Sequence, residues 1–581
     1  MPAPVSNQRP FPTRFQAAAF VVKASLFRWR RHLQELAKDP LPRFPQVPIP
    51  ADTSILAESR SALFSSTQAA EFSLQAGKVH NLRVAAAQLN GLRIPAGSVF
   101  GFWAHVPRPT RSRGFVHGRE LREGCIIPSV GGGLCQLSNA LYDAALVAGF
   151  EIVERHAHSR LIPGSMAAVG RDATVFWNYV DLRFRPATEC QLEILLTRHE
   201  LIIRFHGTNP AGLSAPATAS IQFPPAPPEA ESCETCGVTD CFRHLETGTL
   251  ATHGHAAWLL DAFWPEYDRY LTDHRLPADW LFTPLDRRRW KIGPYRWDST
   301  GFAKVHSAPF EVARRSFISR RLAAQGAARQ RALLRFDEAL AQCYARRLPP
   351  EATHLVVSQN LLPWLWRAGV LGGRTFDVMM TRLPIGALQT ALDRARLRHP
   401  ESPTLADFRA DARLLDDETA ALAEASHWIT PHAVIAKLAG SRAIKLDWHL
   451  PAPDSARRGG KEIVFPASTL GRKGAYEMRA VARELGLHLR LGGPIMEDTA
   501  FWEHVAASPA NASWLDDAGI VVLPAYVEHQ PRRLLQAVAA GVPVLASEAC
   551  GLAGVANVTT IREGDPAAII AALADFRSSR N

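Results

Sequence analysis

From about residue 250 onward the chain alternates short apolar runs with longer helical stretches, and it does so twice. The first series is AAWLLDA, DWLFTP, THLVVSQ, TFDVMMT and HWITP; the second is EIVFPAS, LHLRLGG, GIVVLPA, VPVLAS and VTTI. Runs this short do not make buried helices, and they lack the alternation of half-exposed strands. They read as strands buried on both faces, which implies βαβ units and a parallel sheet. Two such series predict two consecutive doubly wound, Rossmann-like domains, at 247–455 and 456–581, with ligands bound outside the carboxyl ends of their strands.

The upstream half follows a different rhythm. ATVFWNYVDLRFR and QLEILLTRHELIIRFHG alternate apolar and polar residues. This predicts antiparallel strands closing a mixed α+β domain at 71–208. A Pro- and Ala-rich linker follows at 209–232 and a cysteine cluster at 233–246. Residues 1–70 read as a basic helix and a Pro-rich tether. The whole chain is thus expected to be an α/β multidomain protein of 581 residues, 47% hydrophobic and 21% charged, a composition that supports large soluble cores.

Within the second series, GIVVLPAYVEHQPRRLLQAVAAGVPVLAS runs from a buried strand through a loop bearing Glu528 into an Ala-rich helix, a stop at Gly541 and another buried strand. The segment resembles the retaining GT-B glycosyltransferases of the glycogen-synthase/sucrose-synthase-like clan. Their signature is a Glu, seven residues, a second Glu and a helix ending in G-V-P-V. The resemblance implies that Glu528 lies near the donor sugar and that Gln536, standing where the family has its second Glu, hydrogen-bonds the ribose. Upstream, VFPASTLGRKGAYEM matches the family's diphosphate loop. There Lys473 falls on the family's Lys, Gly474 opens a helix, and Ser468 occupies the place of its Arg, with Arg472 as an adjacent cation. A cation beside a helix N-terminus suits a diphosphate. Gly492 and Gly493 match small residues that let backbone approach the nucleotide. Asp377, at the end of a predicted strand, is a candidate for positioning an acceptor or for a helix-capping or loop role.

Residues 78–206 resemble the VanW-like family, named for an accessory protein of vancomycin-resistance clusters. The matching pieces are KVHNLRVAAAQLNGLRIPAGSVFGFW, GGGLCQLSNALYDAAL, ERHAHSR and GRDATVFWNYVDLRF. The residues suggest chemistry of their own. Gly131, Gly132 and Gly133 form a turn, and Cys135 falls at the start of the following helix, a position that favours the thiolate. His158 and Asp172 follow, with His156 as an alternative base. A thiol, an imidazole and a carboxylate in that order fit a nucleophile–base–orienter set. They equally fit ligand binding without chemistry, or plain packing with Gln136, Ser138 and Asn139 as capping groups.

Cys233, Cys236, Cys241 and His244 present three soft ligands and one imidazole at zinc-loop spacing. The expectation is a structural zinc, with an iron–sulfur cluster, for which three Cys plus His is a less common ligand set, or unligated thiols as the alternatives. The other cysteines are scattered, as in a reducing compartment. No apolar stretch is long enough to span a membrane. Lys23 interrupts the apolar core a signal peptide needs, so the chain reads as cytoplasmic. The segment FPTRFQAAAFVVKASLFRWRRHLQELA is basic and amphipathic. It suits peripheral contact with the inner membrane face, or packing on its own domain. The net charge of +11 favours anionic partners, while the absence of nucleic-acid motifs argues against nucleic acid. Together these features predict transfer of a sugar from a nucleotide-sugar donor to a cell-envelope glycan or lipid-linked acceptor. The alternatives are a non-catalytic nucleotide-sugar-binding scaffold, or Cys-dependent acyl transfer or peptidase activity in the N-terminal domain.

Overall fold

The computed structural model describes residues 13–36, 41–50, 53–65, 68–122, 125–158, 170–207, 241, 251–286, 295, 297–322, 326–452, 460–511 and 513–578. The chain divides into two compact units. One comprises Met1–His255 with Leu348–His354 and Ala368–Arg374; the other holds Ala256–Arg347, Leu355–Arg367 and Thr375–Asn581.

The first unit is a mixed α+β domain. Its main sheet joins β1 (Ile55–Ala62), β2 (Arg93–Ile94), β8 (Cys190–Leu196) and β9 (Glu200–Gly207) in the order β1-β9-β8-β2. A hairpin pairs β4 (His117–Arg122) with β5 (Cys125–Val130), and a small sheet has the order β3-β7-β6, from β3 (Phe100–Gly101), β6 (Glu151–Glu154) and β7 (Arg183–Arg185). The predicted β8–β9 hairpin is present, its turn closed by the Thr197 hydroxyl accepting from the Glu200 amide at 3.1 Å. The helices Phe72–Leu89 and Leu134–Val147 supply the apolar face beneath the sheet, including Val79, Leu82, Leu137 and Leu141, all fully buried.

Two features differ from the sequence expectation. β1 lies within the residues read as tether and pairs with β9 along its length, from Ile55 opposite His206 to Ala62 opposite Glu200. The stretch ATVFWNYVDLRFR forms a strand only at Arg183–Arg185. Its earlier part satisfies backbone groups with side chains instead: Ala173 N–H donates to Asn139 Oδ1 at 2.7 Å, and Ala173 C=O accepts from Ser138 Oγ. Alternation alone does not reveal that substitution.

The basic segment is the helix Arg14–Leu36. One face packs on the domain: Phe27 stacks on Tyr179 at 5.6 Å, Arg31 pairs with Glu154 at 2.8 Å and Glu35 with Arg183 at 2.7 Å. Ala24 is buried beneath it. The opposite face leaves Phe15, Val22, Leu26, Trp29 and Leu33 exposed, spaced as one helical stripe.

The second unit contains two doubly wound lobes. The first sheet has β10 (His255–Leu259), β11 (Trp280–Thr283), β12 (Lys304–Ser307), β13 (Ala352–Ser358), β14 (Thr375–Met379), β15 (His427–Thr430) and β16 (Ala443–Lys445) in the order β12-β11-β10-β13-β14-β15-β16. The second has β17 (Glu462–Phe465), β18 (His488–Leu491), β19 (Ala506–Pro509), β20 (Ala518–Leu523), β21 (Val544–Ser547) and β22 (Val558–Ile561) in the order β19-β18-β17-β20-β21-β22. Numbered within each lobe, both begin with the Rossmann order 3-2-1-4-5-6. Central strands match the apolar runs: every residue of β20 and of β21 is buried. The three strands the pattern missed, β12, β16 and β19, are sheet edges whose faces need no apolar run.

Candidate functional site

In a doubly wound sheet the ligand crevice opens where the strand order reverses. In the C-terminal lobe that point lies between β17 and β20, and the loops after these two strands carry the residues the sequence singles out. The loop after β17 ends in a single turn, Gly471–Lys473, and Gly474 has φ +78°. A Cβ at Gly474 would stand 2.3 Å from the Pro524 carbonyl oxygen, so only glycine allows the loops to approach so closely. The Arg472 carbonyl accepts from Tyr526 N–H at 2.9 Å and Val527 N–H at 3.1 Å, which ties them together.

On that frame Lys473 Nζ donates to Glu528 Oε2 at 2.6 Å and to the Val527 carbonyl at 3.3 Å. Glu528 Oε1 accepts from Gln530 N–H at 3.0 Å. Burial alone would raise the Glu528 carboxyl, but Lys473 overrides it and holds the group below the ordinary carboxylate range. Burial lowers Lys473, and Glu528 opposes the fall. At 2.6 Å with side chains only 12% and 14% exposed, the pair is an ion pair at neutral pH.

The surroundings are strongly cationic. His529 is half-buried, its Nε2 is buried without a partner, and burial followed by His432, Lys473, Arg382 and Arg472 keeps it neutral. His432 reaches in from the end of β15 in the other lobe and donates through Nε2 to the Glu528 carbonyl at 3.0 Å. A Cβ at Gly551 would lie 2.4 Å from the His432 ring. The lobes are clasped further out by Arg532 on Glu266, with bonds of 2.6 and 2.7 Å, and by His399 on Glu477 at 2.8 Å. Three cations, Lys473, Arg472 and Arg382, and two imidazoles, His432 and His529, around one carboxylate make a cradle suited to an anion such as a diphosphate.

Gly492 and Gly493 follow β18. Added Cβ atoms would lie 2.4 Å from Arg533 Nη1 and 2.8 Å from the Ser468 amide nitrogen, respectively. Arg533 donates to the carbonyls of Gly492 and Pro466, the latter at 3.1 Å. It therefore brings a guanidinium to the loop in which Ser468 stands in place of the family's Arg. Arg533, Arg382 and His432 were not found from sequence, because each reaches the site from a different element. Gln536 is exposed on the helix Arg532–Ala539. Asp377 lies within β14, bonded to His427 on the neighbouring strand at 2.9 Å, so it is committed to the sheet.

The first lobe has its own reversal point, between β10 and β13, and a second cluster missed by sequence reading sits there. Arg315 Nη1 donates to both oxygens of Asp261 at 3.1 and 3.2 Å, and Asn360 Nδ2 donates to Asp261 and Asp337 at 2.7 and 3.0 Å. Burial and the neighbouring Asp261 carboxylate push Asp337 up to about 7.

The α+β domain holds the cysteine site. Asn81, on the helix Phe72–Leu89, pins the glycine turn by donating to the Val116 and Gly132 carbonyls at 3.0 and 2.9 Å. Gly133 has φ +102°, and a Cβ there would strike the Lys78 side chain at 2.2 Å. Cys135 is in the first turn of the helix Leu134–Val147. His158 Nδ1 is 2.5 Å from Asp172 Oδ1, and its backbone N–H donates to Asp172 Oδ2. Cys135 acts on the same imidazole. Burial disfavours the imidazolium, but Asp172 and then Cys135 outweigh it and raise His158 to about 10. Cys135 Sγ also lies 3.5 Å from Thr174 Oγ1. His156 turns away to Glu154, at 3.2 Å. Gln136 donates to Ser61 Oγ and the Ala62 carbonyl at 3.0 and 2.8 Å. With Ser138 and Asn139 on residue 173, it ties the helix to its neighbours rather than capping it.

Residues 77–206 match the family described as VanW like protein, and residues 476–578 match Glycosyl transferases group 1. The chain carries a VanW-like domain and a group 1 glycosyltransferase domain. The vancomycin B-type resistance protein VanW of Enterococcus faecalis is 33% identical over 175 residues, 29% of this chain and 64% of that protein. The uncharacterized protein YoaR of Bacillus subtilis is 35% identical over 106 residues, 18% of this chain and 34% of that protein. The chain thus spans less than two thirds of the length of these relatives. Among solved structures, sucrose-phosphate synthase from Thermosynechococcus elongatus is 14% identical, with a TM-score of 0.32, over 54% of this chain and 82% of that one. The Anabaena protein HepE in complex with UDP is 12% identical, with a TM-score of 0.32, over 56% and 91%.

The VanW-like segment contains Cys135, His158 and Asp172 and leaves β1, its sheet partner, outside. The group 1 segment contains Gly492, Gly493, Glu528 and Gln536, with Arg472, Lys473 and Gly474 just before it. Of the expected zinc ligands, Cys233, Cys236 and His244 lie outside the described residues, while Cys241 is a half-buried free thiol. Among the described residues no cluster of His, Cys, Asp and Glu has the makings of a metal site. No described helix is long and apolar enough to cross a membrane.

Proposed function

We propose that the two C-terminal lobes transfer a sugar from a nucleotide-sugar donor, with the donor diphosphate held at the β17/β20 reversal point. The observation that carries this reading is the Lys473–Glu528 pair, set among Arg382, Arg472, His432 and His529, with Glu528 in the segment that matches group 1 glycosyltransferases. Lys473 and the start of the helix Ala475–Leu485 bind the diphosphate, Arg533 adds a second cation beside Ser468, and Gln536 faces the ribose. As the glycosidic bond breaks, negative charge grows on the leaving diphosphate, and these fixed cations stabilise it most at that moment. Glu528, released from part of its ion pair when the diphosphate engages Lys473, contacts the sugar. The clan resemblance favours a retaining outcome.

The acceptor is an envelope glycan or lipid-linked sugar, reached from the cytoplasmic side. The outward stripe of Phe15, Val22, Leu26, Trp29 and Leu33, flanked by Lys23 and Arg30, suits an anionic membrane surface. A structural zinc in the loop Cys233–Cys236–Cys241–His244 completes the reading, and its test is metal content of purified protein before and after Cys236→Ser.

The test of transfer uses radiolabelled UDP-glucose, UDP-N-acetylglucosamine and GDP-mannose with bacterial envelope extracts. The expected result is label moved into the glycan or lipid fraction by the full chain and lost in Lys473→Ala and Glu528→Gln. Unchanged transfer in both variants would remove these residues from the reaction. Donor binding with no transfer from any of the three would leave the domain a nucleotide-sugar-binding scaffold.

A further inference from the structure

The Cys135 site has the parts of a thiol nucleophile and nothing in the glycosyl-transfer reading uses it. Its thiol sits in a helix first turn, where N–H groups lack intrahelical acceptors. His158 Nδ1 is committed to the buried Asp172 at 2.5 Å, and Cys135 acts on the same ring. Asp172 holds the ring twice, through Nδ1 and through the backbone N–H of the same residue. The carboxylate segment is in turn fixed to the nucleophile's helix by Asn139 and Ser138. A Cys packed only for its size needs neither the oriented imidazole nor this bracing. His158 also stays partly accessible, with 18% of its side chain exposed, as a proton carrier requires.

We propose that Cys135, His158 and Asp172 form a second active site that carries out acyl transfer on carboxylic amides or esters. The Cys135 thiolate adds to the carbonyl carbon. The C–N or C–O bond then breaks as His158 gives its proton to the leaving nitrogen or oxygen, so an S-acyl cysteine and a neutral amine or alcohol result. Water or an amine next attacks the thioester and surrenders a proton to His158. The C–S bond breaks and the thiolate is restored, with no change of oxidation state. Asp172 stays ionised and keeps the imidazolium in place, and the helix-start N–H groups face the developing oxyanion. The site stands independently of the donor-binding reading.

The test uses the full chain with p-nitrophenyl acetate as the acyl probe and intact-mass and peptide mapping as the readout. The expected result is a burst of one p-nitrophenolate per chain and an acetyl group on Cys135, absent in Cys135→Ala. Iodoacetamide should alkylate Cys135 at neutral pH about 100-fold faster than Cys125 of the same domain. That advantage should vanish in Asp172→Asn and in His158→Gln. Added glycinamide distinguishes the acceptors: acetylglycinamide marks transfer to amines and acetate alone marks hydrolysis, and either result supports the site. Wild-type protein that gains no acetyl group on Cys135 and alkylates Cys135 and Cys125 at equal rates overturns the proposal, whatever the variants do.

Discussion

The donor lobe and the VanW-like domain both place a charged pair beside a helix start, but they build it by opposite means. In the donor lobe, main chain sets the geometry: a Rossmann strand order, a left-handed Gly474 against the Pro524 carbonyl and amides closing on the Arg472 carbonyl put Lys473 beside Glu528. In the VanW-like domain, side chains set it: Asn139, Ser138 and Asp172 hold an irregular segment that no sheet ladder supports. A site built by backbone should fail through glycine substitutions, and a site built by side chains through single polar truncations.

The largest effect should come from Gly474→Ala. The new Cβ meets backbone at 2.3 Å at a positive φ, so we expect about 3 kcal/mol of lost stability, read by denaturant unfolding. Gly149→Ala in the VanW-like domain is the control. It has φ +69° with nothing within 4 Å of the new atom, so it should cost only about 1 kcal/mol. Equal losses would break the contrast.

Next, Lys473→Ala strands a mostly buried Glu528 carboxylate and should cost about 2 kcal/mol. Lys473→Met with Glu528→Leu removes both charges and should restore most of that. If the double variant is as unstable as the single one, the pair is not the source of the loss.

The VanW-like domain should show its side-chain construction through pH. His158 is raised, so its pairing stabilises fully below its unfolded value of 6.5 and is lost as pH climbs through about 10. Asp172 is depressed, so its contribution is present above the ordinary 3.8 and is lost as pH falls below that value. The stability difference between wild type and Asp172→Asn should therefore be larger at pH 6 than at pH 10. A difference independent of pH over that range would show that Asp172 acts without the imidazolium.

The smallest effect concerns the N-terminal helix. Vesicles containing anionic lipid should retain the full chain, and Leu26→Ala with Trp29→Ala should weaken retention about tenfold. Retention unaffected by this pair, or by salt, would leave the exposed stripe without a membrane role.

The same contrast explains what could be read in advance. Two parallel sheets were legible because β20 and β21 are buried at every position and so appear as unbroken apolar runs. Edge strands such as Lys304–Ser307 and Ala506–Pro509 carry no such mark. Lys473 and Glu528 were legible because each adjoins a motif whose backbone fixes it. His432 lies 96 residues from the Glu528 carbonyl it meets, and no local pattern announces that contact. Asp261, Asp337, Arg315 and Asn360 likewise converge from separate elements. The order Cys135, His158, Asp172 was visible, but the choice of His158 over His156 depends on which ring turns toward Asp172 and which toward Glu154.

On the proposed function, Lys473 anchors a nucleotide-sugar diphosphate. Thermal unfolding of wild type and Lys473→Ala against UDP-, GDP- and ADP-sugars tests it most directly. A donor present at about 100 times its dissociation constant should stabilise the wild type by about 2.7 kcal/mol and leave Lys473→Ala unmoved. Equal stabilisation of both proteins, or of neither by any sugar nucleotide, would contradict it.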